Sequence, residues 1–99
     1  MSNTLKTIIL AFAIFTSACG PITAHSSIAK AKIAIEAAHS AQADQFAIYE
    51  YERAVQCLKK AKEEEGYSSF QKANDLAIEA VNFADKAKAR ALNKKGNSK

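Results

Sequence analysis

From Phe70 onward the chain repeats one spacing: Phe70, Ala73, Ala77, Ala80, Ala84, Ala87 and Ala91 follow one another in alternating steps of three and four. That is the heptad rhythm, which places all seven on one stripe of an α-helix. Because six of the seven are alanine, a partner helix must come very close to bury them. The preceding segment offers Ala47, Tyr51, Ala54, Leu58 and Ala61 in the same rhythm. Folding the two about Gly66 sets Ala61 against Ala73, Leu58 against Ala77, Ala54 against Ala80, Tyr51 against Ala84 and Ala47 against Ala87. Each larger residue then faces a small one, as close packing requires. The expected architecture is all-α: an antiparallel helical hairpin with an alanine-rich seam, preceded by a further helix.

Ser68 with Gln71 reads as a capping box for the last helix, and Gly66 suits a left-handed residue just past the end of the one before. The helix after the turn is expected to run to about Asn93, with Lys86, Lys88, Arg90, Lys94 and Lys95 favourably placed at its C-terminal dipole. In the same register Asp44 and Glu50 come near that basic end. The helical domain covers residues 28–93, with its turn near 66–68. The earlier stretch carries a weaker stripe of Ile28, Ala31, Ile35 and Ala38. It either continues into the next helix as one rod or breaks near Ala43-Asp44-Gln45, with Asp44 as cap, and packs back on the hairpin. An alanine seam buries little area, so a chain this size needs a third helix or a second copy, which leaves a homodimer open.

The N-terminus reads as a targeting signal. One cation, Lys6, precedes the apolar run Ile8 to Phe15; three small residues, Thr16-Ser17-Ala18, lead to Cys19. The run is too short to span a bilayer, which takes about 20 residues. A cysteine at the cleavage position resembles the lipobox of bacterial lipoproteins. That resemblance implies removal of residues 1–18 and attachment of lipid to Cys19, with Thr16 standing where the lipobox has leucine. Two or more acyl chains hold a protein at a membrane where one does not. Gly20, where an acidic residue would retain the protein at the inner membrane, implies by the same resemblance the outer membrane and a periplasm-facing domain. Gly20-Pro21 reads as the start of an extended tether over residues 19–27.

The mature chain carries 13 basic and 10 acidic side chains once Lys6 is removed from the 14 cations. That excess of three, with no accompanying motif, excludes a nucleic-acid binder. No Cys/His/Asp/Glu set has metal spacing, His25 and His39 stand far apart, and no nucleophile–base pairing or phosphate-cradling loop is present. The sequence therefore points to a protein that is not an enzyme and needs no cofactor. Glu63-Glu64-Glu65 splays around its helix near Lys59 and Lys60 and reads as a solvated charged end. Cys57 reads as a small buried hydrophobe, with an intermolecular disulfide as the alternative.

Two features remain as candidate interaction sites. Phe46, Tyr49 and Arg53 lie off the hairpin seam and form either a second packing surface or a face for a partner protein. From Lys86 to Lys99 there are six cations and no acid, which suits anionic envelope polymers or headgroups. The last residue, Lys99, resembles the terminal lysine through which an abundant helical envelope lipoprotein is joined covalently to peptidoglycan. A hairpin would turn this tail, residues 94–99, back towards the membrane.

The layout Phe46-Ala47-Ile48-Tyr49-Glu50-Tyr51, spaced alanines, the turn Gly66-Tyr67 and the seam from Ala73 to Ala87 resembles the small alanine-rich bacterial lipoproteins of domain-of-unknown-function family 4398. Ile48 stands where that family has proline, and its acidic turn residue is missing here. Some members adjoin peptidoglycan-binding domains, so the resemblance implies work in the envelope. Three roles follow as expectations: an anchored helical interaction or scaffold module, a tether between outer membrane and peptidoglycan, or a regulator of an envelope enzyme.

Overall fold

The computed structural model describes residues 19–97; the signal segment and Lys99 lie outside them. The described chain is helical almost throughout: α1 (Cys19–Ser40), a single-turn α2 (Ala43–Phe46), α3 (Ile48–Gly66) and α4 (Phe70–Asn97). Helix α4 packs extensively on both α1 and α3, which touch each other less. The alanine row explains why one helix can serve two neighbours. Ala73, Ala77, Ala80, Ala84, Ala87 and Ala91 are all fully buried, and their methyl groups leave room for both partners to approach.

The directions are fixed by pairs far apart in sequence. Arg90 of α4 meets Glu50 of α3, so these two run antiparallel, as the hairpin register requires. The Ser27 hydroxyl donates to Asn74 Oδ1, so α1 runs parallel to α4. His25 lies 3.9 Å from Glu65, which sets α1 antiparallel to α3. The first stretch therefore packs back on the hairpin as a third long helix, in an up-down-up order. This corrects the expectation for the basic tail: Lys94 and Lys95, in the last turn of α4, lie at the end opposite Cys19.

Four local expectations are revised. Among the described residues α1 is helical from Cys19 on, through Gly20 and Pro21, where a tether was expected. Ala24, fully buried, extends the seam of Ile28, Ala31 and Ala38 by one step of four, with Ile35 half-buried. The break comes at Ala41 and Gln42, and Asp44 lies inside α2 without capping it. Gly66 is the last residue of α3 with ordinary negative φ; Ser68, at φ 61°, takes the left-handed position. Ser69, not Ser68, immediately precedes α4, and its carbonyl accepts the Ala73 N–H at 2.9 Å.

The seam on α3 keeps the expected row at Ala47, Ala54 and Ala61 and widens to take in Cys57. Its buried residues are Ala54, Cys57 and Ala61, continuing from Ala47, while Tyr51 and Leu58 are half-buried at the flank. A helix that touches two neighbours buries a wide sector rather than a narrow stripe. The half-buried pair packs on core residues without occupying the central row.

Candidate functional site

The core divides into two clusters along the bundle axis. Nearer Cys19, Ile28, Ala31, Cys57, Ala61, Ala77 and Ala80 are backed by Leu58, Leu76, Val81 and Phe83. At the far end, Ala38, Ala41, Ala43, Ala47, Ala87 and Ala91 are backed by Phe46 and Tyr51. The reactive side chain in this core, the Cys57 thiol, is only 6% exposed. Burial, then the Glu79 carboxylate, push its pKa up against a smaller opposing pull from Arg53. A thiol held protonated and covered is a poor nucleophile for an intermolecular disulfide. Among the described residues no three His, Cys, Asp or Glu side chains gather where they would hold a metal ion.

The far end carries the charged chemistry. Arg90 Nη1 donates to Glu50 Oε1 at 2.5 Å, with the Glu50 side chain 15% exposed. Burial alone would raise the Glu50 carboxyl. A hydrogen bond from its own backbone amide, the bond from Arg90 and the charges of Arg90 and Lys94 outweigh it and hold the group below the usual carboxylate range. The amide bond ties the carboxylate to the start of α3, where it also meets the positive end of the helix dipole. Beside this pair lies a shallow cavity of about 220 Å³, lined by Phe46, Tyr49, Glu50, Arg90 and Lys94 among others. His39 stacks obliquely near Tyr51, ring centroids 6.2 Å apart, and lies 3.9 Å from Asp44.

The three residues read as a partner face separate in the structure. Phe46 is half-buried against the far core cluster. Tyr49 is 66% exposed and shares the shallow cavity with it. Arg53 turns to α4 instead, 5.3 Å above the Phe83 ring and 3.9 Å from Glu79. Its place is that of an inter-helix clamp, while Tyr49 keeps an open face. Lys86 approaches the same ring at 5.8 Å. Sequence spacing gave no sign of the Arg53–Phe83 contact, because both residues flank the seam rather than lie on it.

At the other end, Ile22, His25, Ser26, Glu65 and Phe70 enclose an open cavity of about 480 Å³. It lies between the first turns of α1 and the α3–α4 turn, and sequence reasoning missed it because it exists only once α1 packs back. None of the described helices is long and apolar enough to cross a membrane.

Comparison with known proteins finds no match among curated proteins or solved structures. A family model does match, over residues 26–98, which takes in nearly all of the three-helix unit. The chain belongs to the family described as Domain of unknown function (DUF4398).

Proposed function

We propose that this chain is a bacterial envelope lipoprotein, cut before Cys19, lipidated there and held at the outer membrane, where it works as a non-enzymatic helical interaction module. The observation that carries this reading is the parallel course of α1 and α4. It puts Cys19 at one end of the bundle and Lys94 and Lys95 at the other. A helix of 28 residues is about 42 Å long at 1.5 Å per residue. With lipid on Cys19, the bundle projects from the membrane and presents Tyr49, Arg90 and the lysines of α4 at its outer end.

The test is the intact mass of the protein extracted from the membrane fraction. The expected mass is that of residues 19–99 plus acyl groups. An unlipidated protein, or one that keeps residues 1–18, overturns the anchored reading. Partners captured from the envelope should be lost on Tyr49→Ala; retention would move the interaction to another face.

The same polarity favours a second reading, a tether to peptidoglycan. A cationic end directed away from the membrane suits an anionic polymer. Binding to isolated peptidoglycan would then weaken with salt and with Lys94→Glu. A covalent version requires a muropeptide linked to Lys99.

A further inference from the structure

From the geometry of the end that bears Cys19, we infer a membrane-contact surface: Ile22, Tyr67 and Phe70 seat the bundle in the interfacial layer of the bilayer. The inference rests on the lipoprotein reading above, which supplies the membrane, and adds a surface that the lipid anchor alone does not require.

Three observations carry it. The first is exposure. Ile22 is 67% exposed and Tyr67 79% exposed, although a turn and a helix start have no packing need for either. Two and six residues further on, Ala24 and Ile28 are closed off in the core, so the apolar surface at this end is not a frayed part of the seam. The second is shape. Ile22 and Phe70 supply the apolar wall of the open cavity of about 480 Å³ between α1 and the α3–α4 turn, with His25, Ser26 and Glu65 along its polar side, so the recess beside the anchor has an apolar and a polar edge, as an interfacial surface does. The third is continuity with the anchor. Ile22 follows Cys19 by three residues, a rise of about 5 Å along α1. A lipid on Cys19 would bring this surface to the headgroup level. Tyrosine, with an apolar ring and a polar tip, is enriched at that level, and apolar side chains on interfacial elements sit about 5–10 Å into the headgroup–acyl boundary.

The charge pattern agrees. Around the α3–α4 turn the charges are mixed, Glu63, Glu64 and Glu65 against Lys62 and Lys72, with no cationic excess, whereas Lys94 and Lys95 stand at the opposite end. Contact at the Cys19 end is therefore driven by apolar area and needs no anionic lipid. It should form on zwitterionic phosphatidylcholine and persist at high salt.

The chain contains no tryptophan, so a single introduced indole reports its own depth. Tyr67→Trp and, as a control from the far end, Tyr49→Trp are made in the full chain, purified from membranes and placed in phosphatidylcholine vesicles. Lipids brominated near the glycerol end of the acyl chains serve as quencher. The indole at position 67 should lose about half its emission, a twofold effect expected for the interfacial depth; the indole at position 49 should be unchanged. No quenching at 67, or equal quenching at both positions, overturns the inference. The acyl mass of the same preparation is read separately. A lipidated protein without quenching at 67 retains the anchor and loses the membrane-contact surface. An unlipidated protein that is still quenched at 67 does the reverse.

Discussion

The two ends of this bundle are held together by different means. Near Cys19 the core mixes alanines with Ile28 and Cys57 and is backed by Leu58, Leu76, Val81 and Phe83. At the far end the buried residues are alanines alone, and closure relies on Phe46, Tyr51 and the Glu50–Arg90 pair. The first end is stabilised by apolar area, the second by close backbone approach and charge. Area-based packing is insensitive to pH and can yield when a side chain changes size. A methyl-lined crossing has nothing to yield, and an ion pair depends on pH.

Substitutions can break or sharpen that contrast. The largest effect should come from Ile28→Ala, which removes the largest side chain in the buried set of the first end, 4% exposed. A loss of about 3 kcal/mol is expected from the deleted methyl groups and the cavity left behind. For a bundle this small that is a large share of the total, and urea melts would show it. A loss below about 1 kcal/mol would mean that the first end collapses around the gap. Next comes overpacking. Ala87→Leu, in the all-alanine cluster, should cost about 2–3 kcal/mol, because the buried neighbours are methyl groups on closely approaching backbones and the larger Phe46 and Tyr51 stand only at the flank. Ala77→Leu, beside Leu58 and Leu76, should cost about 1 kcal/mol. Equal costs would remove the distinction between the two packings.

The Glu50–Arg90 pair should contribute less than about 1 kcal/mol, since Arg90 is more than half exposed. Its signature is pH dependence. The folded-state carboxyl lies below its unfolded value of about 4.5. Its contribution is therefore complete above that pH and is lost as pH falls through the folded-state value. Melting temperature should drop on acidification below about pH 4.5, and the drop should be smaller in Glu50→Gln. A wild-type and variant profile of the same shape would assign acid sensitivity to other carboxylates.

What could be read from the sequence follows the same division. The α4 row was legible in full, since alternating steps of three and four admit one helical face. The antiparallel pairing of α3 and α4 followed from matching small to large. The flanking place of Tyr51 and Leu58 did not: they are the larger apolar choices, and a helix that touches two neighbours covers a wider sector than one row, with Cys57 buried beside Ala54 and Ala61. The helical course of residues 19–27 was hidden by Gly20 and Pro21, which read as helix breakers. The turn back at Gln42, left-handed at φ 62°, has no Gly or Pro beside it. It forms where Ala38, Ala41 and Ala43 let the chain reverse against Ala87 and Ala91. The meeting of Glu50 with the basic end of α4 followed from the hairpin register, whereas the cavity beside the Cys19 end depends on that reversal and was not legible from spacing alone.

The smallest predicted effect concerns the turn near the Cys19 end, where glycine and the conformation that suits it stand two residues apart. Gly66 closes α3 with an ordinary helical φ and open space around the position a Cβ would take, while Ser68 carries the left-handed strain at φ 61°. Gly66→Ala should therefore stabilise by about 0.5 kcal/mol, through reduced freedom of the unfolded chain. Ser68→Gly should gain a similar amount by relieving a non-glycine residue of φ > 0. The first change acts chiefly on the unfolded chain and the second chiefly on the folded turn. If Gly66→Ala destabilises instead, the turn requires a glycine at its first position. The hairpin would then owe its geometry to that residue rather than to the fit of α3 on the alanine row.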